Sequence, residues 1–500
     1  MYLPNLRQLP VWLLTLSIGT YAYQNDTISS NCQDACRQLQ GKFGAASVHY
    51  YAQDNFTIWD GKQQEVQYAC RFQPANTAEV ASGLRILTDT WCNFAVKCGG
   101  HSRHADFSNS VGGVTIDLRR MNSVQLAADQ TRARVGGGAV TAEIFAALEP
   151  RNVSFVGGRV GSVGLGGFAT GGGTSPLTPR WGWALDNVFE YELVLPNATI
   201  VVVNDQQNPD LYWALRGAGG GNFGIVTSFE VRTFPQGPIY AAARTWNATY
   251  VEKAVDEIYN LYTAHDANAD ISMEYFYGYV QSTDSYVLTS TLRHFDPVTR
   301  PRVFDAINSV PAVTASDQNV TLGTLAGPGT IPASPPPSRH LFQATSNHPS
   351  REWVQESLRI FREQTEPFKT IEGLNPRLIT YPISSAAIRA MSDRGGNALG
   401  LNDIKGPLFM TLLSTAYTSP ADDARVGEFY DKVFEGLENA AKRLDVYHPY
   451  KYIGYGRLGE DIFARYGADN HAKLVQIQKS VDSQGVFTAG GLCHGGFKVR

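Results

Sequence analysis

The stretch VKCGGHSRHADFSNSVGG, residues 96–113, restricts this chain more than any other. Two glycines lead into His101, His104 follows, and Gly112-Gly113 closes the segment. No helix tolerates that glycine density and no simple strand needs it, so the backbone must be shaped here for close approach. Two further blocks repeat the demand: VGGRVGSVGLGGFATGGGTSP, residues 156–176, and RGAGGGNFG, residues 216–224. In Gly171-Gly172-Gly173 and Gly219-Gly220-Gly221 successive N–H groups can converge on an anion, although tight turns in a β-rich domain would use the same residues. The nominal Gly219-x-Gly221-x-x-Gly224 fingerprint follows a helical pattern, not a strand, and no acidic residue sits at the expected distance. That disfavours a Rossmann unit.

Other templates fail on their own geometry. Val160 stands where a nucleophile elbow around Ser162 needs glycine. His101-x-x-His104 would chelate a metal only on a helix, which the glycines forbid. Cys32-x-x-x-Cys36 lacks a second pair at matching spacing, so no metal is expected. A net charge of −4 over 500 residues, with no basic run, argues against a nucleic-acid partner.

The first residues carry an address. Arg7 precedes the apolar run VWLLTLSIGTYA, which ends in small residues, so residues 1–22 read as a secretory signal peptide cut after Ala22. The run is short of the ~20 apolar residues a membrane span needs, and no later segment resembles one. Acceptor sequons at Asn25, Asn55, Asn152, Asn197, Asn247 and Asn319 agree, with only some expected to be used. The six cysteines, Cys32, Cys36, Cys70, Cys92, Cys98 and Cys493, are an even number that an oxidising compartment permits to pair. A secreted or secretory-pathway protein without a membrane partner is the expectation.

Residues 23–61 form an N-terminal segment with a short helix over CQDACRQLQGKF. Residues 62–237 mix short helices with short strands, punctuated by the glycine blocks. Near FPQGP the texture changes. Long alternating stretches such as ISMEYFYGYVQSTDSYVLTSTLRHF and amphipathic helices such as DARVGEFYDKVFEGLENAAKRL predict an antiparallel sheet backed by helices over 238–449, making the chain α+β. Residues 450–500 return to tyrosine, glycine and short helices.

Taken in order, KCGGHS, IDLRRMNSV, RVGGGA, VGSVGLGGFATGGG, RWGWALDNV, LYWALRGAGGGNFGIVTSFEV, YKYIGYG and SVDSQGVF resemble the vanillyl-alcohol-oxidase (PCMH-type) superfamily, and most of all its berberine-bridge-enzyme-like secreted oxidases. The resemblance implies a PCMH-type FAD-binding fold of two α/β subdomains and a separate substrate domain. It implies FAD bonded through its 8α-methyl to His101, with His104 solvated or capping. Gly99, Gly100, Ser102, Gly161, Gly164, Gly171, Gly172, Asn222, Gly224 and Ile225 are then expected to line the cofactor, and Asp186-Asn187-Val188 to pack the glycine loop. Many relatives carry a second, cysteinyl tether. Val160 occupies that position here with no cysteine beside it, so a single bond is expected. Val163 falls where the family controls oxygen access to the flavin, or is a core residue. The Tyr-x-Asn-Tyr-like motif is YIGY here, without its Asn, and makes Tyr455 the candidate base with Tyr452 second; both could equally be core aromatics.

A tether retains the cofactor in a secreted protein and raises its potential. The expected activity is an oxidase that takes hydride from a small, hydrophobic natural product and passes the electrons to O2, giving H2O2 in a step of secondary metabolism. A carbohydrate or oligosaccharide oxidase and a flavoprotein catalysing a non-redox cyclisation are the alternatives.

Overall fold

The computed structural model describes residues 28–332, 337–402 and 404–500; the expected signal peptide and the Asn25 sequon lie outside them. The fold is the expected α+β arrangement, built on three main sheets.

The first sheet orders Val48–Tyr50, Cys70–Phe72, Val114–Asp117 and Phe94–Lys97, with the last three strands parallel. Helix Thr77–Thr90 crosses between two of them. Its N-terminus is fixed by the Asn76 carboxamide, which accepts from the Glu79 N–H at 3.0 Å. Helix Ser30–Phe43 is pinned to this unit by disulfides Cys32–Cys92 and Cys36–Cys70, and Cys98 and Cys493 remain free. The second sheet is antiparallel throughout, in the order Val124–Leu126, Arg132–Gly136, Ile225–Arg232, Val188–Val194, Ile200–Asn204. Its last pair is a hairpin that turns through Pro196-Asn197.

The third sheet has eight antiparallel strands, drawn from Ile239–Trp246 through Tyr447–His448. Period-2 alternation gives it two buried faces. Along Leu408–Tyr417, Phe409, Leu413 and Tyr417 pack under helices Val251–Ala264, Arg351–Thr365 and Asp423–Arg443. Leu408, Met410 and Leu412 point the other way and join the core of the glycine-rich half. On the adjoining strand Asn375–Ile383, Ile379, Tyr381 and Ile383 do the same. The sheet therefore offers a wall of alternate residues to the glycine blocks. Asn55, Asn152, Asn197, Asn247 and Asn319 are all exposed. Among the described residues no helix is long and apolar enough to cross a membrane, and no cluster of metal-ligating side chains occurs.

Candidate active site

A cavity of about 500 Å³ separates the glycine blocks from the eight-stranded sheet. Of the residues expected to line a cofactor, Gly99, Gly100, His101, Ser102 and Gly164 stand on its wall, together with Gly171, Gly224, Ile225 and Val163. Three others stand behind it. Gly161 is pressed against the neighbouring loop, where a Cβ would lie 2.1 Å from the Gly327 carbonyl oxygen. Gly172 packs on Tyr452 and Trp183. Asn222 spends its side chain on the C-terminal segment, donating to the Phe497 carbonyl at 2.9 Å and accepting from the Val499 N–H at 3.0 Å. Lys498 completes that clamp by donating to the Gly221 carbonyl at 2.6 Å.

The glycines do two different jobs. At Gly99 a Cβ would lie 2.3 Å from the Gly164 nitrogen, so two loops cross there with no room for a side chain. At Gly167 a Cβ would meet nothing within 4 Å, and at Gly220 only the Thr170 hydroxyl at 4.0 Å. Both glycines line the cavity. Part of its floor is thus bare backbone, shaped to take a large flat group such as FAD against peptide N–H and C=O groups.

His101 is fixed on two sides. Its Nε2 lies 2.7 Å from Ser162 Oγ, and its ring stacks on Trp59 with centroids 4.8 Å apart and planes 21° from parallel. Burial, with smaller contributions from His340 and Lys97, pushes its pKa down to about 3, so the ring is neutral. Of the two expectations for His104, solvated or capping, burial removes the first, and the ring meets a backbone carbonyl instead. Its Nε2 lies 3.0 Å from the Gly456 carbonyl oxygen, and burial lowers its pKa well below the ordinary value.

Arg103, between the two histidines, is equally buried. Its guanidinium donates to the Gly454 carbonyl at 3.0 Å and to that of Gly456, and lies over the Phe342 ring at 4.9 Å. The His101–His104 loop therefore holds the turn that carries Tyr455. Tyr452 serves that turn as a wall residue. Its hydroxyl accepts from the Gly173 N–H at 3.1 Å and its ring meets Tyr455 edge-on at 4.8 Å.

Tyr455 faces a partner that sequence reasoning missed. Tyr381 stacks on it at 6.1 Å and 25°. Arg159 lies over the Tyr381 ring at 4.6 Å and 3.4 Å from Glu274, which Arg293 holds through two hydrogen bonds of 3.0 and 2.8 Å. The two arginines overcome burial and hold Glu274 down at about 2. Burial raises both phenols, and the Arg159 charge works in the opposite direction on each. A signal was available: Arg159 is the sole charged residue of block 156–176. Tyr381 and Glu274 carried none.

Val160 is 48% exposed at the rim of the cavity. Cysteines do approach by another route, because Cys98 and Cys493 both line the cavity. Burial raises both thiols, and Cys98 Sγ lies 3.5 Å from the Ala139 carbonyl oxygen. Asp186 is buried among structural partners, accepting from Trp183 N–H at 3.0 Å and Asn397 Nδ2 at 2.9 Å; burial lifts it to about 7.

A model of the FAD binding domain matches residues 68–204. The FAD-dependent monooxygenase tpcD of Cochliobolus heterostrophus is 32% identical across 94% of this chain and 95% of its own length. The bifunctional solanapyrone synthase of Alternaria solani is 27% identical across 86% and 81%. Among solved structures, the glucooligosaccharide oxidase of Acremonium strictum, with its 6-S-cysteinyl, 8α-N1-histidyl FAD, superposes with a TM-score of 0.71. It is 18% identical and covers 91% of this chain and 97% of its own. With that similarity along nearly its whole length, a matching cofactor domain and a bare-backbone cavity to receive the group, this chain belongs to the FAD-linked, PCMH-type oxidoreductases.

Proposed function

We propose that this protein is a secreted oxidase that holds FAD by a single bond through His101 and oxidises a small, largely apolar natural product. The observation that carries the tether is the setting of His101: a neutral ring on the cavity wall with Nε2 engaged by Ser162. A proton on Nε2 directed at Ser162 Oγ leaves the Nδ1 lone pair as the nucleophile, which an imidazolium would lack. With Val160 at the rim and desolvation raising both nearby thiols, no second thiolate is supplied.

FAD, held on the glycine blocks and at His101, would supply the hydride acceptor for a substrate C–H and the relay of electrons to O2. The residues do the rest. Phe342, Ile379 and Leu412 exclude water from the substrate side, which favours an apolar substrate over a sugar. Tyr455, stacked on Tyr381, takes the substrate proton, and Arg159 favours the phenolate that results. The solanapyrone synthase relative supports a role in secondary metabolism. The two disulfides and the exposed sequons support passage through an oxidising compartment.

The test is to produce the protein through a secretory host, precipitate it in acid and follow the yellow colour, alongside His101→Ala. Colour retained by the wild type and lost from the variant supports the tether; colour lost from both removes it. Peroxide assays on terpenoid, polyketide and oligosaccharide panels then choose the substrate class. A ligand that turns over without bleaching the flavin under nitrogen would replace the oxidase with a non-redox reaction.

A further inference from the structure

Three aromatic rings from distant parts of the chain are stacked beside the cavity. Trp59 lies between His101, at 4.8 Å and 21°, and His340, at 4.0 Å and 15°. The outer ring of the stack is itself anchored. Asp60, fully buried, accepts from the His340 N–H at 2.8 Å and lies 3.1 Å from His340 Nδ1. The backbones are joined as well: Gly61 N–H donates to the Ser338 carbonyl at 2.9 Å, and Lys62 Nζ to the His340 carbonyl. A Cβ on Gly61 would lie 2.8 Å from the Pro337 carbonyl oxygen, so the two segments are in direct contact. Trp59 is therefore gripped from behind by the substrate sheet and presents its face to His101.

We infer that Trp59, held by His340 and Asp60, is the positioning residue for formation of the histidyl tether. The inference rests on the reading that His101 carries the FAD. A single hydrogen bond from Nε2 to Ser162 leaves the imidazole free to swing about that contact. A flat ring packed on its face removes that freedom and fixes the plane in which the Nδ1 lone pair lies. Bond formation needs that lone pair in line with the methyl carbon, and misplacement by about 1 Å costs about 10²-fold in rate. In the step, Nδ1 bonds to the methyl carbon, one proton leaves that carbon and another leaves Nε2 by way of Ser162. The two electrons left on the flavin pass to O2, with two protons, as hydrogen peroxide. Trp59 takes no part in that exchange; it sets the geometry in which Nδ1 begins it.

No other feature of His340 explains its place. It lines no part of the cavity, and Asp60 takes its Nδ1 and its backbone N–H. Its imidazole does its packing on Trp59, with Phe342 edge-on beyond.

The test separates binding from bond formation. Full-length wild type, Trp59→Ala, Trp59→Phe, His340→Ala and His101→Ala are produced in a riboflavin-limited secretory host, loaded with FAD, and sampled over time. Each sample is denatured in acid and its protein-bound flavin fluorescence measured, while non-covalent FAD affinity is measured separately by titration. Trp59→Ala is expected to bind FAD yet form the bond about tenfold or more slowly. Trp59→Phe, which keeps a ring, is expected near wild type, and His340→Ala several-fold slow. Wild-type rates in Trp59→Ala or in His340→Ala overturn the inference. Should Trp59→Ala fail to fold, His340→Ala and Trp59→Phe still decide it, since a fast His340→Ala leaves the stack without a role. Release of flavin by the wild type, or retention by His101→Ala, would instead remove the tether itself.

Discussion

Arg103 holds the peptide on each side of Tyr455: its guanidinium donates to the carbonyl oxygens of Gly454 and Gly456, while His104 meets the second of these. The residues that follow His101 thus aim the candidate base at the opposite side of the same cavity. Replacing Arg103 with Lys, which cannot fork to two carbonyls, is expected to lower kcat by about 10- to 100-fold with flavin content unchanged. Stopped-flow reduction of the bound flavin measures the loss at the chemical step; parallel loss of FAD would assign Arg103 to cofactor binding instead.

A buried tyrosine acting as base should show itself in the pH profile. Burial holds the Tyr455 phenol well above its ordinary value of about 10, so the rate of flavin reduction is expected to rise steadily into alkaline pH. Arg159 lowers both Tyr455 and Tyr381, and Arg159→Gln is expected to move the limb to still higher pH. Tyr455→Phe is expected to abolish the limb and cost about 10²–10⁴-fold in rate. Tyr452→Phe, which loses only the contact with the Gly173 N–H, is expected to keep the limb.

His104 should make the protein acid-sensitive. Its pKa is lowered well below 6.5 when folded and returns to that value on unfolding, so the unfolded chain binds the extra proton. The stability it contributes is whole above about 6.5 and drains away as pH falls towards the folded value. His104→Gln is expected to be less stable at neutral pH yet to lose less stability on going to acid. Denaturant midpoints at a series of pH values measure the slope, and parallel curves would refute the assignment.

The bare glycines offer a cleaner separation of fold from cofactor. Gly220→Ala adds a methyl group to open cavity, and is expected to leave apo-protein stability near wild type while weakening FAD binding. Gly99→Ala drives the same methyl into the Gly164 backbone and is expected to destabilise the fold itself. Thermal unfolding with and without added FAD distinguishes the two outcomes.

The cofactor half of the site was legible in the sequence because glycine leaves a written record of close approach. The resemblance that the glycine blocks carry put Gly99, Gly164 and Gly224 beside the cofactor, and all three stand on the cavity wall. The substrate half was not legible, since Tyr381 reaches Tyr455 through strand register, opposite Met410 in a sheet whose pairing no local pattern specifies. Trp59 joined His101 for the same kind of reason, its far partner lying on the strand that begins at Arg339. The sequence left His104 open between solvated and capping because the carbonyl its ring meets is 352 residues away in the chain. The hydrogen bonds of Asn222 were equally invisible, its amide joining Ala218 to residues 497–499.

That last contact bears on how the protein is made. Leu492 and His494 add to the edge of strand Phe94–Lys97, and Phe497–Val499 close on the glycine turn through Asn222 and Lys498. A chain emerging from the ribosome has synthesised His101 and every glycine block long before it makes these residues. One wall of the flavin cavity is therefore absent until translation has passed Val499. Completion of the site must follow synthesis, and a stop codon just before Cys493 would yield a chain whose flavin cavity lacks Cys493, Gly495, Gly496 and Phe497 from its wall.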